Sequence, residues 1–331
     1  QRGMNGRQQV QWLISPFRYV SPMSINWFPG HMNKAIREIR ETLPKVDLII
    51  EIVDARIPYS SSNPVIAEFH TRKPCITLLS KSDLADPETT QQWIEHLEKK
   101  ENVKAIAVTT EQPDQIRQLI SICKSMTRKD VMGNVTALIT GIPNVGKSTI
   151  INILAGRTVA RTGNEPAITK TQQRIDLHNG LVLIDSPGIL WPKIENPDSG
   201  YRLAVTGAIK ETAINNDEVG CYVAAFLLKH YPDMLKERFK LETLPESDIE
   251  FMEIIGRQRG CLGSGGHVDF HRIATILINE YRTATLGRIT LETPEMTMLE
   301  EIEVARLQEQ KAIEKAASER KRKMAYKLRG K

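Results

Sequence analysis

The sequence predicts an α/β domain with a mostly parallel sheet and helices on both faces, followed by a small all-α domain and a charged C-terminal helix. Three observations carry this. Short apolar runs alternate with helical patterns from Val46 to Leu154, at the spacing of strand–helix–strand units. Helical periodicity takes over from Tyr201 to about Leu286. From about Glu295 to Lys331 a charged helical pattern closes on Arg320-Lys321-Arg322-Lys323.

Composition sets the frame for these elements. A chain of 331 residues can bury two cores, and 40% hydrophobic with 26% charged residues is ordinary for a globular protein. Net charge is +5, a weak pointer to a polyanionic partner. No apolar run approaches membrane-spanning length. Four isolated cysteines lack metal-ligand spacing and suit a reducing compartment. Residues 1–24 contain no acid, and two readings stand for them: a disordered leader, or a mitochondrial transit peptide. The chain is otherwise expected in the cytoplasm.

Taken in order, Trp27-Phe28-Pro29-Gly30-His31-Met32 precedes a basic helical pattern over 33–43. His31 there suits a structural histidine on residue type alone. Val46–Val53 reads as a buried strand ending in Asp54-Ala55-Arg56-Ile57-Pro58. A short helix over 64–69 leads to a strand over 75–79, which ends in Ser80-Lys81-Ser82-Asp83. A helix over 87–99 precedes a strand over 105–108 and Thr109, and one helix is expected over 113–127.

The next strand, 135–139, enters Gly141-Ile142-Pro143-Asn144-Val145-Gly146-Lys147-Ser148, followed by a helix from Thr149. Strand, G-x-x-x-x-G-K-S and helix together form a phosphate-binding loop. Glycines let successive N–H groups curl toward phosphate oxygens, and the helix start adds its positive end. Lys147 is expected to reach the outer phosphates and Ser148 to ligate Mg2+. The polar stretch 158–171 holds Thr169, the expected second magnesium ligand. Two strands, 173–177 and 181–184, flank the hairpin signal Asn179-Gly180 and end in Asp185-Ser186-Pro187-Gly188-Ile189. Asp185 is expected to hold a magnesium-bound water, and the Gly188 N–H to bond the γ-phosphate.

Ser80-Lys81-Ser82-Asp83 approaches the [N/T]-K-x-D motif that reads guanine, with Asp83 accepting from N1–H and the exocyclic amine. In Ras-like GTPases this motif follows the phosphate loop; here it precedes it, so the domain is a circular permutation of that fold. The arrangement resembles the circularly permuted GTPases, and the ribosome biogenesis GTPase A (YlqF) family in particular, from about Ile25 to Pro294.

The resemblance implies a GTP-hydrolysing assembly factor for the large ribosomal subunit, with the helical domain on its rRNA, monomeric off the ribosome. The expected domains are 25–197 for the permuted GTPase, 198–294 for the helical domain and 295–331 for the tail. Ile189 stands where Ras-like proteins place the water-orienting glutamine, and the family gives that role to the histidine matching His31. Asn144 matches the residue that ligates K+ in potassium-activated relatives. Turnover is expected to be slow alone and stimulated by the ribosome. Ser80 replaces the usual Asn, which is expected to loosen the grip on guanine. Permutation also leads the turn after Gly188 into the next domain at 197–200, a route for reporting nucleotide state. The basic glycine-rich stretch 256–266 is read as a flexible loop, equally a connector or an RNA contact through Arg257 and Arg259. A phosphoryl-transfer kinase and a GTP-dependent RNA-binding module with negligible hydrolysis are the other two readings.

Overall fold

The computed structural model describes residues 30–67, 72–127, 134–160, 172–191 and 194–329. Strands β1 (Leu48–Asp54), β2 (Cys75–Ser80), β3 (Val103–Ala107), β4 (Val135–Gly141), β5 (Gln173–Asp176) and β6 (Leu181–Asp185) form one sheet in the order β3-β2-β1-β4-β6-β5. Five are parallel, and β5 pairs antiparallel with β6 through the expected hairpin, whose turn holds His178 and Gly180 at positive φ. All seven residues of β1 are buried, as a central parallel strand covered on both faces requires.

Helix α1 (His31–Thr42) places Met32, Ala35 and Ile39 in the core, with Leu43 just beyond. Helix α2 (Pro64–Ala67) is short, and helix α3 (Pro87–Leu97) starts at Asp86, whose side chain accepts from the Thr89 N–H. The single helix expected over 113–127 is two, α4 (Pro113–Arg117) and α5 (Leu119–Thr127), separated at Gln118. Helix α6 (Lys147–Ala155) follows the phosphate loop.

The helical segment comprises α7 (Pro197–Val205), α8 (Asn216–His230), α9 (Pro232–Phe239), α10 (Asp248–Gln258) and α11 (Phe270–Arg282). Residues 197–200, expected as a junction, form the first turn of α7, capped by the Asn196 side chain, with Asp198, Ser199 and Gly200 buried and Pro197 exposed. The glycine-rich stretch 256–266 is a built turn instead of a flexible loop. Cys261 is buried, Leu262 bridges Val268, and the Gly263 N–H donates to the His267 carbonyl at 2.8 Å. Arg259 there pairs with Glu280 at 2.9 Å.

After α11 the chain returns to the sheet. The Ile289 N–H donates to the Leu84 carbonyl (3.2 Å) and the Leu291 N–H to the Arg56 carbonyl (2.9 Å). The Trp93 indole N–H donates to the Glu292 carbonyl at 2.9 Å. Helix α12 (Pro294–Arg329) then leaves the body, with only its first turns buried. One apolar core runs continuously from α1 and the sheet into the helical segment.

Candidate functional site

Sheet order sets site order. Reading across the carboxyl ends from β3 to β6, the structure lines up Thr109, the Ser80–Asp83 turn, Asp54, the phosphate loop and Asp185–Gly188. Ligands on parallel sheets bind beyond these ends.

The loop leaves β4 at Gly141, where a Cβ would lie 2.6 Å from the Ile52 carbonyl oxygen; only glycine lets β4 run this close to β1. Gly146, at φ +94°, turns the chain into α6, whose first turn, with Lys147, Ser148 and Thr149, contains no acid. First-turn N–H groups have no acceptor inside the helix, so they point at whatever occupies the loop. Lys147 is buried and ion-pairs with the Asp185 carboxylate. Burial pushes the Asp185 carboxyl up, and Lys147 pulls against that shift. The Ser148 hydroxyl, half-buried, has no hydrogen-bond partner among the described residues.

The turn after β6 is fastened to the same loop. Ser186 donates through its N–H and its hydroxyl to the Ile139 carbonyl, at 3.1 and 3.0 Å. The Ile189 N–H donates to the Gly141 carbonyl at 3.3 Å. A Cβ on Gly188 would stand 3.1 Å from the Pro143 Cα, a tight contact that glycine avoids. The Ile189 side chain is fully buried, which explains an apolar residue at that position: it is core.

On the base side, Ser80 does more than its replacement of Asn suggested. Its hydroxyl sits 2.7 Å from the Val145 carbonyl and 3.0 Å from that of Val53, tying the Ser80–Asp83 turn to the phosphate loop. Lys81 adopts a left-handed backbone (φ 56°), and its ammonium reaches the Asn144 carbonyl at 2.8 Å and Asp54 at 3.1 Å. Asp83, half-buried just past β2, accepts no hydrogen bond from the described residues. Thr109 stands beside this turn, its hydroxyl accepting from the Glu111 N–H at 3.2 Å, while the Ser82 N–H donates to the Val108 carbonyl. Asn144 is at φ 59° and donates its side-chain amide to the Gly207 carbonyl of the helical segment at 2.8 Å.

The roles expected of Thr169 and of the His31 side chain lie outside the described part, as do residues 1–29; the His31 backbone opens α1. Sequence reasoning passed over Asp54 and Arg56. Their signal was an acid and a base two residues apart at the end of an apolar strand, a strand that the fold seats between those of Asp83 and Lys147.

Residues 136–246 match the family described as 50S ribosome-binding GTPase. The ribosome biogenesis GTPase A of Priestia megaterium is 45% identical over 282 residues, spanning 82% of this chain and 98% of that protein. Among solved structures, GNP-bound YlqF from T. maritima is 30% identical with a TM-score of 0.56, covering 79% of this chain and 99% of that one. The GDP-bound structure of TM YlqF gives 30% identity and a TM-score of 0.57, over 78% and 100%. With such identity across nearly the full length of its relatives, the chain belongs to the ribosome biogenesis GTPase A family.

Proposed function

We propose that the chain binds GTP across the row of strand ends and hydrolyses it to GDP and phosphate during assembly of the large ribosomal subunit. The observation that carries this is one row holding a built phosphate loop and, two strands away, the Asp83 carboxylate with no hydrogen bond from the described residues. A carboxylate left open at that distance suits the N1–H and exocyclic amine of guanine, two donors that adenine does not present together. Replacing it tests the assignment. In Asp83→Asn the amide keeps an acceptor and gains a donor, which matches the C2 carbonyl of xanthine. Affinity for GDP should fall by on the order of a hundredfold while XDP becomes the better ligand; an unchanged preference for GDP would refute the role of Asp83.

Lys147 turns from Asp185 to the outer phosphates, and the Gly188 N–H bonds the γ-phosphate. The Ser148 hydroxyl and the Asp185 carboxylate are hard oxygen donors on either side of Lys147 and fit Mg2+, Asp185 acting through a water. When bound, that ion neutralises charge on the phosphate oxygens. Ile189, being core, cannot orient water, which supports assigning that task to His31. Asn144, fixed from the helical segment through Gly207, is the residue we assign to K+, whose charge would stand where an arginine finger otherwise acts. Arg257 and Arg259 of the 256–266 stretch and the clustered charge near the end of α12 are the groups assigned to rRNA. The cytoplasm fits four cysteines that are all free, and no described helix is long and apolar enough to cross a membrane.

Phosphate release should rise when K+ replaces Na+ and again when large subunits are added, and His31→Ala should lower it by a factor on the order of 10²–10⁴. Rates indifferent to all three would overturn this mechanism.

A further inference from the structure

Between the phosphate loop and the base-reading turn, at the end of β1, lies a buried ionic knot to which the reaction above assigns no task. Asp54 is 1% exposed. Its Oδ1 accepts from the Arg56 backbone N–H (3.1 Å) and Nε (2.8 Å), and its Oδ2 from Arg56 Nη2 (2.7 Å) and Lys81 Nζ (3.1 Å). Burial alone pushes the Asp54 carboxyl up; Arg56 and Lys81 more than reverse this and hold it well below the usual carboxylate range. Arg56 in turn lies 5.3 Å from the centre of the Tyr281 ring, and its Nη1 is 3.5 Å from the Arg282 carbonyl.

Such a knot is a poor device for stability, because removing charges from water offsets most of their attraction. It is a good device for geometry. Lys81 has a long, rotamer-rich side chain on a left-handed backbone, and its ammonium must cross β1 to reach the Asn144 carbonyl. A carboxylate fixed by a two-pronged guanidinium is a rigid second anchor at the middle of that crossing.

We propose that Asp54 is a positioning residue for guanine recognition, acting through Lys81, with Arg56 holding the carboxylate in place. This rests on the reading of Lys81 and Asp83 as the base-binding residues. Asp54→Asn alone would strand the Arg56 charge, so the test uses the paired variant Asp54→Asn/Arg56→Gln, alone and combined with Lys81→Met, in the full chain. Equilibrium binding of fluorescent GDP should weaken about tenfold in the paired variant, as for one lost charge-assisted hydrogen bond, and by a similar factor in Lys81→Met. The triple variant should lose nothing further, because both changes remove one interaction. Losses that multiply, or an unchanged affinity in the paired variant, overturn the proposal, since a merely structural Asp54 acts equally in both Lys81 backgrounds. Should the paired variant melt below the assay temperature, Arg56→Lys keeps the charge and drops the fork; its smaller loss must also vanish beside Lys81→Met. Failure of the Asp83→Asn swap from GDP to XDP would sink the base reading itself and leave the outcome of this cycle separately readable.

Discussion

In Lys147→Met, affinity for both GDP and GTP falls at least about a hundredfold while the chain stays folded; two charge-assisted bonds to phosphate are worth about 3–6 kcal/mol. Methionine fills the space of the lysine stem in this buried position, so little packing is lost. What changes is charge. Asp185, the anion that Lys147 meets in the structure, stays buried without its cation. Its carboxyl is already pushed up by burial, and with the pull of Lys147 gone it rises further, toward the neutral form. That neutralisation spares the fold and explains why binding, not folding, takes the loss. Calorimetric titration with GDP, beside a thermal melt, measures both; near-parental affinity in a folded variant would remove Lys147 from the site.

The second large effect lies away from the nucleotide. Arg202→Met should destabilise the chain by about 3–5 kcal/mol at about pH 8, because it breaks a buried ionic cluster from one side. Arg202 reaches Glu300 at 2.6 and 2.8 Å and Glu292 at 3.3 Å, while Glu292 also accepts from the Ser60 backbone N–H at 2.9 Å. Burial pushes the Glu292 carboxyl up to about 7, against the pull of Arg202, and the buried Asp198 nearby up to about 6. A carboxyl whose pKa rises on folding contributes stability that is fully present below the ordinary carboxylate range. That contribution is lost as pH rises through the folded value, here the window from about 4.5 to about 7. Without Arg202 the carboxyls rise further, so acidification from about pH 8 to about pH 5.5 should recover more stability in the variant than in the parent. Thermal melts at the two pH values decide it: a deficit that does not shrink on acidification would rule out the carboxylates as its cause.

The strands, a mostly parallel sheet and the phosphate loop were legible because they rest on local pattern. The apolar run that becomes β4 ends in a residue whose chemistry stands out on its own, Gly141, whereas Asp54 at the end of β1 drew no notice. Asp83 and Asp185 were legible as motif residues at the right spacing. Partners distant in sequence were not. Nothing in Ser80 announces that its hydroxyl meets the Val145 carbonyl, 65 residues on. Asn144 shows its loop position, yet its bond to Gly207 depends on how α7 packs. The break at Gln118 hid inside an unbroken helical periodicity. Glu292 looked like one acid before a charged tail, because only the folded chain brings Arg202 and Ser60 to it.

The returning strip Ile289–Glu292 has a consequence for timing. Synthesis runs from the N-terminus, and domains fold largely as they emerge. The residues this strip secures, Arg56, Ser60, Leu84 and Trp93, are made early, whereas Ser60 waits for a partner 232 residues further on. A nascent chain that has already displayed its phosphate loop therefore still lacks the strip that secures the β1–β2 half of its sheet. These contacts form only once residues 289–292 have been made, so a factor that serves ribosome assembly cannot finish the strand ends around Arg56 and Leu84 until its helical segment has followed them out of the ribosome.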